Sequence, residues 1–530
     1  MKMMNKRRTK IIAMAACAVI ATATLAGCGT GSTNTVSGGT AAITDIDNRV
    51  FNYGCTAYSG SGVGVDPHDA YCGWSTLRYG IGETLVKISD EGTVEPWLAE
   101  SWSVNEDSTE WTLTVKNNVT FSNGKKVDAA AVKANFERLN EKNQRAAAGL
   151  AIESISADGQ TVTIKTRQPN PILINWLTDP FGCIVDVSEE INGQNHVVGT
   201  GPYTLEKADT NGVVVHANKN YWNGSPKFGT VNVICFQDGD TMSMAMQNGE
   251  LDACANLGYD TVPTFRNNRN FKIDSAATSR SYMFMFNTQD EALSEGNVRK
   301  AVSMAINKQG FVNTLMNGYG AVAQLCFPES YAFGDSKVQG PQYDTEQAKA
   351  LLAQAGWADT DGDGYVDKNG KNLELSWVTY RNRLELPLLA ESAQASLKEI
   401  GIKVNIDDRE SNAIITDVSK NFDIYSWAVV TAPYADGLTF FNELLNNYSI
   451  HGWSGSEFEQ FQSLYQTAVQ ENAPSKRADY SVQLQQMLVD NNILVVASHN
   501  QMNLVMKPGV TGLAAHPSDY YEITAELDIT

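Results

Sequence analysis

Four carboxylates, Asp359, Asp361, Asp363 and Asp367, stand at positions 1, 3, 5 and 9 of a loop with Gly364 at position 6. Oxygen donors at that spacing, with a glycine at the sharp turn, are how a chain wraps a calcium ion. Position 12 should close the shell with a bidentate Glu, and here it is Gly370. A hairpin without calcium is therefore the favoured reading, and no resident cofactor is expected. Sulfur is the next candidate. Besides Cys17 and Cys28 near the N-terminus, the chain carries Cys55, Cys72, Cys183, Cys235, Cys254 and Cys326, and no two form C-x-x-C. That argues against zinc and thioredoxin-like chemistry. The even number permits disulfides in an exported chain, but irregular spacing and apolar strand contexts favour buried free thiols. The six histidines are scattered, and G-x-S-x-G, H-E-x-x-H, a Walker loop and a helix-opening G-x-G-x-x-G are all missing. These residues agree with binding rather than catalysis. The formal charge is −20, with no basic run beyond the first ten residues. Such a surface repels phosphate backbones and argues against nucleic-acid binding; the charge itself is read as a solubility feature.

One cysteine has a different context. Lys2, Lys6, Arg7, Arg8 and Lys10 precede an apolar run of 16 residues, 11–26, that ends in Leu25-Ala26-Gly27-Cys28. The run is short of the ~20 residues that span a bilayer, so it reads as an export signal. Its end resembles a lipobox, in which the Cys28 thiol takes a diacylglyceryl group and then becomes the new N-terminus. Residues 29–44 are rich in Gly, Ser and Thr, a tether with a reach of roughly 20–25 Å. The chain is expected to be extracytoplasmic, lipid-anchored to the outer face of the cell membrane or periplasmic, and globular beyond the tether.

A length of 530 residues implies two or three domains, and 42% apolar with 19% charged residues describes an ordinary globular protein. Residues 101–104 and 110–115 carry the aromatic and β-branched side chains of strands, with a turn between them. Asp128 is placed to cap a helix whose Val132, Phe136 and Leu139 share one face. Further on, apolar strands alternate with helices: 231–236 with 241–248, 282–287 with 298–311, and 374–379, 386–400 and 402–406. A strand at 422–430, helices at 457–472 and 475–489, and strands at 493–497 and 502–505 complete the pattern. Repeated β–α–β units predict an α/β protein with parallel or mixed sheets.

The order of Pro96-Trp97-Leu98-Ala99, Ser101-Trp102, the strand Trp111–Val115, Phe121-Ser122-Asn123-Gly124 and Asn135-Phe136 resembles the extracytoplasmic solute-binding proteins of peptide and nickel ABC importers, family 5. Gly199-Thr200-Gly201-Pro202-Tyr203, Asn218-Lys219-Asn220-Tyr221-Trp222 and Val298-Arg299-Lys300-Ala301 extend that resemblance. It implies a two-lobe periplasmic-binding-protein-like (Venus flytrap) fold with mixed sheets, a hinge of crossover strands and an extra N-terminal subdomain. The expected boundaries are 1–28 for signal and lipobox, 29–44 for the tether, and 45–278 for lobe I with a subdomain at about 88–200. Lobe II is expected at 279–497, with 498–530 returning to lobe I. The implied function is that of a monomeric substrate-binding lipoprotein, not an enzyme. It would capture nickel, a metal chelate or a short peptide between the lobes and deliver it to an ABC permease with its cytoplasmic ATPases. A di- or oligopeptide-specific receptor, and a signalling or chaperone-like lipoprotein on the same fold, are the alternatives.

The resemblance also nominates residues. Arg145 falls where members that take up a polycarboxylate chelate carry an Arg, and a guanidinium fork can clamp a carboxylate. Two departures weaken the metal reading: Ala148 stands where the nickel binders place a Trp, and Asp179 lies near where they place a second cleft Arg. Tyr71 and Trp74 are expected at the cleft rim, with His68 beside Pro67 a turn residue. Trp427 and Tyr434 are expected as cleft walls, Asp436 as a partner for a peptide amine, and His451 as a direct nickel ligand. Arg383 is expected either in the cleft or paired with Glu385 or Glu391.

Overall fold

Runs of β-branched and aromatic residues build one large mixed sheet whose strand order carries the architecture. In chain order its main strands are Val50–Cys55 (β1), Tyr203–Asp209 (β2), Gly212–Ala217 (β3), Thr230–Cys235 (β4), Ala253–Ala255 (β5), Lys272–Phe286 (β6), Glu374–Tyr380 (β7), Lys403–Arg409 (β8), Ile424–Val430 (β9) and Leu494–Met506 (β10). Side by side they run β8-β7-β9-β6-β10-β5-β1-β4-β3-β2. β1 is parallel to β4 and β5, and β7 is parallel to β8 and β9; the other neighbours are antiparallel. The structure, a computed structural model, describes residues 46–57, 64–381, 383–410, 422–446 and 452–530. Cys28, the tether and His451 lie outside the described residues.

β6 and β10 are long, 15 and 13 residues, because they serve both halves of the sheet. They pair from Lys272↔Met506 to Ala277↔Gln501, break register, and resume at Ser281↔His499. Such a break interrupts the ladder and re-aims the side chains within it. On one side of it a core gathers around Phe51, Tyr53, Val213 and Val231. On the other a larger core gathers around Phe284, Trp377, Leu389 and Phe441. This is the two-lobe α/β fold with a mixed sheet.

A four-stranded antiparallel sheet stands apart, in the order Ala99–Val104, Glu110–Val115, Thr161–Thr166, Ile152–Asp158. Its core holds Trp111, Leu113, Val132, Phe136 and Leu139. The Asp128 side chain accepts from the Ala131 amide at 2.9 Å and caps the helix Ala129–Lys142, a contact of about 1 kcal/mol. Asn143 ends that helix and caps the next, Gln144–Leu150, accepting from the Ala146 amide at 3.1 Å. The break at Asn143 places Arg145 in a first helical turn.

The glycine-rich turn at 199–201 is scaffold. A Cβ on Gly199 would lie 2.0 Å from the Ile81 carbonyl oxygen, and one on Gly201 would lie 2.2 Å from that of Gly80. Beside it, the buried Glu83 accepts from the Tyr221 hydroxyl at 2.7 Å and Trp222 Nε1 at 2.8 Å. The helix expected at 298–311 is shorter, Gly296–Ala305: Ile306 turns extended and Asn307 caps a separate turn, Lys308–Gly310. In the aspartate hairpin, Asp359, Asp361 and Asp363 come together, all exposed. Their oxygens accept from backbone amides of the same loop, and Asp367 turns away to the Thr360 amide at 2.8 Å.

Candidate functional site

Arg145 is already occupied. Both carboxylate oxygens of Asp179 accept from its guanidinium, Oδ1 from Nη2 at 3.0 Å, and Nη1 also donates to the Tyr434 hydroxyl at 3.0 Å. The rings of Tyr71 and Phe181 each lie 4.8 Å from its Cζ. Asp179 is 2% exposed and Arg145 28%, so the pair is embedded at the acid and open at the base. Asp179 is itself fixed, because it accepts from the Phe181 amide at 3.0 Å as the cap of Pro180–Gly182. Where the resemblance placed a second arginine, this chain supplies the counter-ion of the first.

Tyr434 is held from the subdomain side. Its ring lies 4.1 Å from that of Trp176, which packs over Gly149; a Cβ there would meet the indole at 2.5 Å. Asn175 Nδ2 donates to the carbonyls of Tyr434 at 3.0 Å and Ala435 at 3.4 Å. Burial, then the Asp179 carboxylate, hold the Tyr434 hydroxyl above the ordinary phenol range, so it remains a neutral donor. Tyr71, Trp74, Arg145, Asp179, Tyr434 and Tyr520 line a chamber of about 340 Å³.

A second chamber, of about 490 Å³, is bordered by Cys55, Arg78, Asn256, Arg383, Asn500 and Glu522. Trp74, Thr278, Arg280 and Asp519 border both chambers. The two are parts of one cleft that meet at the register break of β6. Most charge here is internally matched. Arg78 Nε lies 3.1 Å from Glu522 Oε1, and Nη2 lies 2.8 Å from Asp519 Oδ1. Burial pushes the Glu522 carboxyl up to about 7, against the opposing pull of Arg78.

Two side chains differ. Arg280, half-buried at the break, meets no acceptor through its guanidinium among the described residues. Glu443, on the helix Leu438–Asn446, borders the first chamber with no partner among the described residues, and burial pushes its carboxyl up. A half-buried charge without an internal partner is costly unless something arrives to match it.

The structure brings Arg145, Tyr434, Tyr71 and Trp74 together in the first chamber and puts Arg383 on the second, where it has contacts of its own. Two expected cleft residues lie elsewhere. Trp427 is 3% exposed and stacks on Phe440 with centroids 5.7 Å apart, inside the larger core. Asp436 is 5% exposed. It accepts from Arg477 Nε at 3.1 Å and the Leu438 amide at 2.8 Å, so its carboxylate is consumed inside the fold. His68 is buried, with Nδ1 at 2.6 Å from Arg138 Nη1, and burial together with that cation pushes it down to about 3. His499 touches Ser281 Oγ at 2.8 Å and Asp335 Oδ2 at 3.1 Å. Ser281 is fully buried and outside both chambers, so this set braces the register break rather than presenting a nucleophile.

Arg280 and Glu443 were missed at the level of sequence. The available signal for the first was a basic residue between two serines, directly ahead of the apolar stretch of β6.

With this geometry in place, the relatives are informative. The family model for bacterial extracellular solute-binding proteins, family 5 Middle, matches residues 93–452. The nickel-binding protein NikA of Staphylococcus aureus is 29% identical over 371 residues, covering 69% of this chain and 72% of that protein. The glutathione-binding protein GsiB of Salmonella paratyphi A is 28% identical over 356 residues, covering 64% and 66%. The crystal structure of a nickel ABC transporter from Bacillus halodurans superposes with a TM-score of 0.82 at 29% identity, over 91% of this chain and 100% of that one.

Proposed function

Because the chain belongs to the bacterial extracellular solute-binding proteins of family 5, we propose that it is the receptor of an ABC importer. Its cargo is nickel carried by a small organic chelator that bears a carboxylate. The observation that carries this reading is Arg280, a cation with no acceptor for its guanidinium among the described residues, at the hinge where the two chambers meet. The cargo's carboxylate sits on Arg280, the aromatic rings of Tyr71, Trp74, Tyr434 and Tyr520 enclose its body, and the Arg145–Asp179 pair forms the floor. The described lining of the first chamber holds no imidazole, and its carboxylates Asp179 and Asp519 are paired with Arg145 and Arg78. The chelator therefore supplies most of the metal's ligands, and Glu443 is the one lining carboxylate among the described residues left to add to them. Binding across the hinge favours the closed form, which the permease and its ATPases then recognise. The chain performs no chemistry on the cargo, is held at the membrane's outer face through Cys28, and works as a monomer.

A short peptide is the second reading, favoured by Glu443. A carboxylate bordering the same chamber, without a partner among the described residues, can receive an ammonium group, which a free peptide has and a metal-bound amine lacks. Native mass spectrometry separates the two. The purified chain is offered nickel alone, a nickel–histidine complex, and di- to pentapeptides. Retention of the complex, with neither bare nickel nor peptides held, is the expected result. Peptide binding without any response to metal would replace the first reading with the second, and binding of none of the three would remove both.

A further inference from the structure

Cys55 and Cys235 are the last residues of β1 and β4, two parallel neighbours, and they stand in direct register. In-register residues on adjacent strands face the same side of a sheet, with strands about 4.8 Å apart. That separation falls inside the roughly 4.4–6.8 Å range of Cα spacings that a disulfide tolerates. Cys235 Sγ is turned toward β1, lying 3.6 Å from the carbonyl oxygen of Thr56, the residue after Cys55. Cys55 is among the residues bordering the second chamber, its Sγ receives a contact from the Tyr79 hydroxyl at 3.9 Å, and Cys235 is half-buried. Cys254, the other cysteine on this stretch of sheet, pairs with Gly54 and so faces the opposite side. Both thiols are reduced in this structure. Strand ends are also where the backbone can adjust most easily to close a bond.

We propose that Cys55 and Cys235 form a reversible disulfide on the wall of the cleft, with a small-molecule disulfide as the oxidant. The more accessible Cys235 thiolate attacks one sulfur of oxidised glutathione and expels a glutathione thiolate, leaving a mixed disulfide. The Cys55 thiolate then attacks the Cys235 sulfur, the protein S–S bond forms, and a second glutathione thiolate leaves. The two cysteines lose two electrons and two protons, and the oxidant becomes two thiols. The hydrogen bond with Cys235, and then burial, hold the Cys55 thiol well above its ordinary range. Oxidation is therefore faster at alkaline pH, and the reduced form gains no thiolate stabilisation that would make the bond easy to open. The bridge ties together the ends of β1 and β4.

The test is peptide mapping. The purified chain is incubated with oxidised glutathione at mildly alkaline pH, quenched in acid, denatured, alkylated with iodoacetamide and digested without reductant. The expected product is the Cys55 peptide joined to the Cys235 peptide, lighter by two hydrogens and separated by reductant. A Cys55→Ser variant should stop with glutathione on Cys235. Full alkylation of both cysteines, a persistent glutathione adduct on Cys235 in the unaltered chain, or a link from either to another cysteine would overturn the proposal.

Discussion

Two arginines in this cleft differ in one respect. Arg145 is held by a fixed, buried carboxylate, a tyrosine hydroxyl and two rings. Arg280, bordering the same chamber, has no such partner among the described residues. A guanidinium matched inside the fold contributes shape and a polar floor, whereas an unmatched one leaves a charge for the ligand to satisfy. The lesson is that a cleft arginine is assigned by its internal partners rather than by its position in a motif.

The comparison can be broken most sharply at the matched pair. Arg145→Met strands the Asp179 carboxylate, 2% exposed, and should cost about 3 kcal/mol of stability in urea unfolding. Adding Asp179→Leu should recover most of that loss, since an apolar pair of similar volume is often neutral. Arg280→Ala should do the reverse. Its stability should stay within about 0.5 kcal/mol of the unaltered chain, while a carboxylate ligand loses roughly 1.5–3 kcal/mol of binding in calorimetry.

His68 offers a third case of an internally determined charge. Its folded pKa is lowered to about 3 from 6.5. The unfolded chain therefore binds a proton the folded one refuses, and stability falls as pH drops below 6.5. At 1.36 kcal/mol per unit, unfolding at pH 5 should be easier by about 2 kcal/mol from this group. The difference between the unaltered chain and His68→Gln, measured at pH 7 and pH 5, isolates it from Glu522, whose raised value gives the opposite slope. The smallest effect belongs to Glu443→Gln. If a short peptide is the cargo, it should weaken peptides with a free amine by about 1 kcal/mol and leave their N-acetyl forms unchanged.

Much of the fold was legible in the residues because the signals were local. Asp128 and the Val132, Phe136, Leu139 face lie within one helix, and the strand-and-turn motifs of the subdomain are contiguous. Arg145 was legible as a candidate, but its meaning depends on Asp179, 34 residues away, and Tyr434, 289 away. Trp427 and Asp436 were misplaced because the aromatic and acidic character that suits a cleft also suits a core stacked on Phe440 and an ion pair with Arg477. Arg280 was illegible because its position follows from a register break against β10, more than 200 residues downstream.

The most direct measurement is calorimetry that compares acid with amide. The unaltered chain, Arg145→Met and Arg280→Ala are each titrated with nickel–histidine and with nickel–histidinamide. The acid should be preferred by the unaltered chain and by Arg145→Met, and the preference should vanish in Arg280→Ala. An acid preference that survives Arg280→Ala, or that disappears in Arg145→Met, would contradict the assignment of the ligand's carboxylate to the hinge arginine.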